Sequence, residues 1–230
     1  MDQQIPLPLK LPDYAVWDAV YAGPNEMTIH DLQAFSTGQG EQFVFLAGEL
    51  GTGKTLLLQT VCQTTHHNQQ TSLYLSLSEF VNYGPAVLEN ISAYQYVCLD
   101  DLEIVAGQSD WEDKLFILFN AIRDQQHHLL IAANAVPAQL TIALPDLQSR
   151  LQSGLVCQLK RLTDQELCDA FTYLAQHVGL SLPQDVSQFL LRRVPRTIGQ
   201  LYNIFQKLNE ASFAAERRLT IPFVKEVLAI

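Results

Sequence analysis

The sequence predicts an α/β protein in which a parallel five-stranded sheet is covered by helices and is followed by an all-helical domain. Two patterns lead to this prediction. Short apolar runs alternate with helical patterns as far as residue 159, and buried strands that alternate with helices form parallel sheets covered on both faces. Beyond that residue only helical patterns recur. With 230 residues, 48% of them apolar, the chain can build one large core and a smaller second one.

The apolar runs that we interpret as strands are rich in aliphatic, aromatic and β-branched residues. They span residues 42–47, 72–77, 95–99, 128–132 and 155–159. Between the first two runs, the polar residues 66–70 are expected to form a loop.

Four helical patterns fill the later part of the chain. Thr163 precedes Glu166 at the spacing of a capping box, and Pro222 is suited to the first turn of a helix. The predicted helices span residues 163–178, 184–193, 197–215 and 222–229.

Composition excludes several classes of protein. No apolar run approaches the roughly 18 to 20 residues that a membrane span requires, and the first residues lack the basic region of a secretory signal. We therefore expect a cytoplasmic protein. The cysteines lie far apart in apolar segments, which favours reduced core residues over a zinc site or disulfides: Cys62, Cys98, Cys157 and Cys168.

The distribution of charge limits the partners that the chain can bind. Residues 1–159 contain five basic and 17 acidic side chains, whereas residues 160–230 contain nine basic and seven acidic ones. Because Lys and Arg supply most of the non-specific affinity for DNA phosphates, the acidic part would repel a duplex. We expect no direct, tight binding of DNA.

A complete phosphate-binding motif follows the first predicted strand. Residues 48–55 (GELGTGKT) match G-x-x-x-x-G-K-[ST] and precede a helical pattern. Glycines allow backbone N–H groups to surround a polyphosphate at a helix N-terminus, a lysine reaches the outer phosphates, and a threonine hydroxyl binds magnesium. The predicted nucleotide-binding residues are Gly48, Glu49, Leu50, Gly51, Thr52, Gly53, Lys54 and Thr55, with Thr55 also a magnesium ligand.

Two aspartates follow the third predicted strand, where a nucleotide-hydrolysing site needs an acidic element. Asp100 would hold magnesium directly or through water, and Asp101 would orient the attacking water. Taken alone, two aspartates after a strand also suit a turn or a helix cap. Their combination with the phosphate loop favours a catalytic and metal-binding role.

With these motifs the chain resembles the AAA+ ATPases of the bacterial replication initiator (DnaA) branch, from about residue 13 to the C-terminus. The resemblance implies an AAA+ P-loop fold with a C-terminal all-helical lid, ADP (or ATP) as the bound nucleotide, and Mg²⁺. It also implies a division into an N-terminal peptide (1–12), a nucleotide-binding base (13–160) and a lid (161–230). The double aspartate and residues 112–120 (EDKLFILFN) match the corresponding part of that branch.

The same resemblance assigns roles to four further residues. Tyr21 lies in a segment (YAGPN) similar to the box beside the adenine, and Asn134 has the place of the polar sensor. Arg196 has the place of the second sensor arginine in the lid. Arg150, in the segment LQSRL, has the place of the arginine finger that acts on a neighbouring subunit. The other interpretation of Arg150 is a surface arginine paired with Asp146.

The N-terminal residues resemble the peptide that docks in the hydrophobic cleft of the DNA polymerase sliding clamp. A glutamine is followed by alternating aliphatic residues and prolines, and prolines reduce the entropy lost when an extended peptide binds. The predicted clamp-binding residues are Gln4, Ile5, Leu7 and Leu9.

Over essentially its whole length, including residues 219–228, the chain resembles those members of the branch that inactivate the initiator. The resemblance implies a nucleotide-bound protein that binds the DNA-loaded clamp and stimulates hydrolysis of ATP on the initiator, and it allows a homo-oligomer. Since the sequence ends at Ile230, we expect no counterpart of the initiator's DNA-reading domain, in agreement with the charge distribution. Asp101 replaces the glutamate of many AAA+ ATPases, so we expect weak intrinsic turnover.

Two other functions remain open at this point. One is a helicase loader or transposition helper, against which the acidic base argues. The other is an adaptor that binds nucleotide for stability without affecting hydrolysis in a partner.

Overall fold

A five-stranded parallel sheet forms the centre of the computed structural model, which describes residues 12, 14–194 and 198–230. The strand order is β2-β3-β4-β1-β5, and each neighbouring pair is parallel. Each strand agrees with its predicted range to within one residue at either end. The strands are β1 (Phe43–Ala47), β2 (Ser72–Ser76), β3 (Tyr96–Asp100), β4 (His128–Ala133) and β5 (Leu155–Gln158).

Helices cover both faces of this sheet, as the continuous apolar strands predict. Successive side chains of a strand point to opposite faces, so Val44 and Leu46 pack into one core while Phe45 and Ala47 pack into the other. The helices of the base are α1 (Glu26–Ser36), α2 (Lys54–His67), α3 (Leu77–Phe80), α4 (Ser109–Asp124) and α5 (Pro145–Ser153). The first core contains residues of α1 and α2, and the second contains residues of α4 and α5.

The predicted loop over residues 66–70 is partly wrong, because α2 continues through His67. Exposed polar side chains such as those of His66 and His67 are compatible with a last helical turn that faces solvent. Asn68 is the C-cap residue after the helix, and Gln69 then takes a positive φ of 60° as the chain turns toward β2.

The C-terminal helices form a lid with a core of their own. They are α6 (Asp164–His177), α7 (Gln184–Leu191), α8 (Ile198–Ala215) and α9 (Ile221–Leu228). Thr163 and Glu166 form the predicted capping box at the start of α6. Pro222 lies in the first turn of α9, also as predicted.

Residues 14–25 connect the base with the lid. Ala15 and Val20 are buried in the base core, whereas Ala19 is buried in the lid core. The side chain of Asn25 makes two hydrogen bonds to the backbone of Lys160, accepting from its N–H at 2.7 Å and donating to its carbonyl oxygen at 3.0 Å. This pair fixes the N-terminal segment to the chain between β5 and α6.

All four cysteines are buried and free, as predicted. Within the described ranges, no helix is long and apolar enough to cross a membrane.

Candidate nucleotide-binding site

The phosphate-loop motif lies between the C-terminal end of β1 and the start of α2, the context that its pattern predicts. The N–H of Gly48 donates to the carbonyl oxygen of Ala133, 3.1 Å away, which ties the loop to the end of β4. A Cβ atom on Gly48 would lie 2.6 Å from the Thr52 hydroxyl oxygen, so a larger residue would displace the loop.

Two glycines give the loop its curvature. Gly51 and Gly53 have φ angles of +84° and +98°, in the region where residues with a side chain are strained. Apart from the adjoining residues of the loop, no atom of the described chain lies within 4 Å of the position that a Cβ atom would occupy on either glycine. The backbone is therefore open at this point, as close approach of a polyphosphate requires.

Lys54 is a buried cation in this loop. Its side chain is 8% exposed, and its ammonium donates to the carbonyl oxygens of Gly48 at 2.6 Å and Glu49 at 3.3 Å. In the part of the chain that the structure covers, no carboxylate forms an ion pair with it. A buried ammonium without a counter-charge favours an anionic ligand, and a phosphate supplies one.

Asp100 is the buried acidic residue of the site, with an exposed fraction of 1%. Its Oδ2 atom accepts hydrogen bonds from the Thr55 hydroxyl at 2.6 Å and the Tyr74 hydroxyl at 3.2 Å. Its Oδ1 atom accepts from the backbone N–H of Asp101 at 3.0 Å. Burial raises the pKa of Asp100, and the hydrogen bond from Thr55 opposes that rise. Burial and the neighbouring Asp100 also raise the pKa of Tyr74.

The carboxylate of Asp101 makes a different set of contacts from that of Asp100. Its backbone has a φ of +61°, a left-handed conformation that aspartate tolerates better than most residues. Its Oδ2 atom accepts from the hydroxyls of Ser78 at 2.6 Å and Ser76 at 3.2 Å. The carboxylate that we predicted to orient water is thus bound by two serines.

Tyr21 and Asn134 belong to different parts of the base. The Tyr21 ring centroid is 6.2 Å from that of Tyr173 on α6, so it lies between base and lid. Burial, followed by the charges of Asp169 and Glu166, raises the pKa of Tyr21. Asn134 directly follows β4, and its backbone N–H donates to Glu103 at 3.1 Å, which links the ends of β3 and β4.

Arg150 lies near the N-terminal ends of strands β1 and β4, whereas the phosphate loop follows the C-terminal end of β1. It lines a surface hollow together with Phe43, at the start of β1, and Leu129, near the start of β4. Its guanidinium carbon is 6.0 Å from the ring centroid of Phe119. Among the described residues no carboxylate, including that of Asp146, lies within ion-pair distance of it. The alternative interpretation, a surface pair of Arg150 with Asp146, is therefore not supported among the described residues.

Two sets of predicted residues lie outside the part of the chain that the structure describes. They are the sensor arginine Arg196 and the clamp-binding residues Gln4, Ile5, Leu7 and Leu9. Three further polar residues at the site were not predicted from the sequence: Tyr74, Ser76 and Ser78. Polar and apolar residues alternate over residues 72–78 (SLYLSLS), a pattern that is unusual for a strand buried on both faces and that marks these positions.

The residues present fit a nucleoside polyphosphate and a divalent cation. The loop is open at its two positive-φ glycines, no carboxylate among the described residues pairs with Lys54, and Thr55 with Asp100 offers hard oxygen ligands. A phosphate loop after strand β1, between β4 and β5 in a parallel sheet of this strand order, together with a helical lid, defines an AAA+ protein.

Comparison with known proteins identifies the family. The family model "Bacterial DnaA ATPAse domain" matches residues 14–158, and the model "Hda, lid domain" matches residues 164–228. The chain therefore belongs to the Hda/DnaA-related AAA+ proteins.

Individual relatives agree with this assignment. An uncharacterized protein of Haemophilus influenzae is 37% identical over 229 residues, which cover 99% of each chain. Domain III of the Thermotoga maritima replication initiation protein DnaA superposes with a TM-score of 0.74 at 21% identity, covering 95% of this chain and 97% of that one. Thermotoga maritima RuvB, a Holliday junction branch migration motor, superposes with a TM-score of 0.59 at 16% identity, covering 90% of this chain and 67% of that one. At these identities the structural matches establish the fold.

Proposed function

We propose that this protein is a negative regulator of the initiation of chromosomal replication. In this proposal it binds ADP or ATP with Mg²⁺, attaches to the DNA-loaded sliding clamp, and stimulates ATP hydrolysis by a DnaA-type initiator in the cytoplasm. The observation on which the proposal chiefly rests is the position of Arg150, at the edge of the sheet opposite the chain's own phosphate loop.

The chain's own site would hold a nucleotide. Lys54 and the backbone of residues 48–55 would bind its phosphates, Thr55 and Asp100 would hold Mg²⁺, and Tyr21 lies where the base meets the lid. When bound, Mg²⁺ neutralises phosphate charge. A DnaA from Aquifex aeolicus has been solved with the nucleotide analogue AMPPCP; it is 18% identical, superposes with a TM-score of 0.68, and matches over 89% of this chain and 68% of its own length.

Intrinsic hydrolysis at this site is expected to be weak. Asp101 has a shorter side chain than the glutamate of many AAA+ ATPases, and both serine hydroxyls hold its Oδ2 atom. A general base must reach the proton that it takes, so a carboxylate engaged in this way orients water poorly. The bound nucleotide would then serve mainly to join base and lid.

Arg150 would act on the initiator's ATP rather than on this chain's nucleotide. From Phe43 to Ala47, strand β1 separates the Arg150 edge from the phosphate-loop edge by about 13 Å. The guanidinium carbon of Arg150 lies 6.0 Å from the Phe119 ring centroid, at the end of the sheet remote from its own phosphate loop. Inserted into a neighbour's site, its charge would stabilise the negative charge that develops on the transferring phosphoryl group.

The clamp-binding part of the proposal rests on the sequence of residues 4–9 and on the family. Gln4 would supply a polar contact, and Leu7 and Leu9 would supply apolar anchors in the cleft of the clamp. Attachment to a clamp on DNA gives the protein access to DNA-bound initiator although its own base is acidic.

The proposal is tested by measuring hydrolysis of initiator-bound ATP with and without this protein and DNA-loaded clamp. We expect hydrolysis to accelerate only when both are present. Unchanged hydrolysis, together with intact binding to clamp and initiator, would instead identify a nucleotide-stabilised adaptor. Acceleration of helicase loading without any effect on the initiator would identify a helicase loader.

A further inference from the structure

We propose that Tyr74 positions Asp100 for magnesium and thereby sets how strongly nucleotide binding depends on Mg²⁺. This inference rests on the nucleotide site proposed above. Tyr74 is in neither the phosphate loop nor the double aspartate, yet its hydroxyl donates to the same Oδ2 atom that accepts from Thr55.

The strand geometry places Tyr74 at the site. In β2 the residues Leu73 and Leu75 point into the core with α4 and α5, so Tyr74 and Ser76 point to the other face. The partly buried Tyr74 packs against the core that contains α2. This packing fixes the ring, so the hydroxyl has a defined position relative to Asp100.

The carboxylate of Asp100 is oriented by three donors. Thr55 and Tyr74 donate to Oδ2, and the backbone N–H of Asp101 donates to Oδ1. The Thr55 hydroxyl can keep this hydrogen bond while a lone pair of its oxygen binds a cation, because a hydroxyl is both donor and acceptor. Among the described residues the Tyr74 hydroxyl hydrogen-bonds to this carboxylate alone, so Tyr74 can orient the carboxylate whether or not the cation is bound.

Groups that hydrogen-bond to metal ligands influence metal affinity through the orientation of those ligands. Loss of such a partner typically lowers metal affinity about 10- to 100-fold. A buried tyrosine that merely satisfies its own hydroxyl would have no such effect, since its removal would change stability and leave the cation untouched. The two roles therefore differ in their effect on Mg²⁺ dependence.

The test uses the variant Tyr74→Phe, which keeps the ring and removes the hydroxyl. ADP binding is measured by calorimetry in EDTA and at a series of MgCl₂ concentrations. We expect the affinity in EDTA to stay within about twofold of wild type, and the MgCl₂ concentration for half-maximal tightening to rise about tenfold.

The matched control is Tyr96→Phe on the neighbouring strand β3. Tyr96 is more deeply buried than Tyr74, and among the described residues its hydroxyl is not one of the donors to Asp100. We expect the Mg²⁺ dependence of this variant to match wild type. A second experiment introduces Tyr74→Phe into an Asp100→Asn variant. There it should not change the MgCl₂ concentration for half-maximal tightening any further, because Tyr74 acts by orienting the Asp100 carboxylate.

Three results would overturn the inference. The first is a Tyr74→Phe variant with the fold and the Mg²⁺ dependence of wild type. The second is an equal loss of affinity with and without Mg²⁺, which would indicate a structural role. The third is an additive effect in the Asp100→Asn background. If wild-type protein itself fails to bind ADP, or binds it independently of Mg²⁺, the proposed nucleotide–magnesium site fails as well.

Discussion

The carboxylate of Glu112 accepts a hydrogen bond from the backbone N–H of Leu144 at 2.7 Å, which joins helix α4 to the start of the helix that carries Arg150. The same carboxylate accepts from Ala143 and from Gly107. Glu112 is 1% exposed, and three backbone amides surround its charge. Burial of this carboxylate is tolerated because the three backbone hydrogen bonds replace the water molecules that would otherwise solvate it.

Glu112→Ala should therefore destabilise the protein strongly. The change leaves three backbone amides without their acceptor, at about 1 to 3 kcal/mol each, so we expect the free energy of unfolding to fall by roughly 3 kcal/mol or more. Urea denaturation measures this loss. The neighbouring Asp113 is exposed, and Asp113→Ala should change stability by no more than about 0.5 kcal/mol. Equal stability of both variants would contradict the role given to Glu112.

Lys54→Ala should abolish ADP binding. The buried ammonium of Lys54 has no counter-charge among the residues described, so an ADP phosphate gains a charge-assisted hydrogen bond that alanine cannot supply. Calorimetry with ADP tests this expectation, with the exposed Lys207 changed to alanine as the control. Wild-type ADP affinity in the Lys54→Ala variant would show that the phosphate loop does not bind the nucleotide.

Replacement of Ser78 by alanine should raise the weak intrinsic ATPase activity. Ser78 makes the shorter of the two serine contacts to Asp101, and its loss gives that carboxylate more freedom to approach water. Phosphate release by the protein alone, without clamp or initiator, measures the effect; we expect a rise of a few fold over wild type and over the exposed-site control Ser181→Ala. A fall in activity would mean that the serines hold Asp101 in its working position.

The double variant Gln4→Ala, Leu7→Ala should fold normally and fail to bind the sliding clamp. Each substitution removes a contact worth about 1 to 3 kcal/mol if it is fully buried in the cleft. Pull-down of purified clamp tests the loss, and ADP calorimetry on the same variant checks that the nucleotide site is intact. Full retention of clamp binding would place the contact elsewhere in the chain.

Most of the fold follows from local patterns in the sequence. Runs such as FVFLA in β1 are apolar on both faces, a pattern that favours a strand covered by helices on both sides of a sheet. The capping box at Thr163 could likewise be predicted from the sequence, because its two hydrogen bonds depend only on the types of two residues three positions apart. The loop predicted from residue 66 begins later, after His67, because exposed polar residues suit a last helical turn as well as a loop.

The contacts between distant segments were not predictable in the same way. The hydrogen bonds of Tyr74 to Asp100 and of Ser78 to Asp101 join residues more than twenty positions apart, through the pairing of β2 with β3. No local pattern specifies which strands are neighbours. Likewise, the motif around Arg150 indicated an arginine finger, but only the fold puts that residue at the edge opposite the phosphate loop.

The trans action of Arg150 is tested most directly by the rate at which initiator-bound ATP is hydrolysed in the presence of DNA-loaded clamp and the Arg150→Ala variant. An arginine finger contributes about 10³ to 10⁵ in rate, so we expect the stimulation to disappear while folding, ADP binding and clamp binding are kept. Arg123→Ala, at an exposed arginine paired with Asp124 on α4, should stimulate like wild type. Stimulation by the Arg150 variant within a few fold of wild type would contradict the trans role.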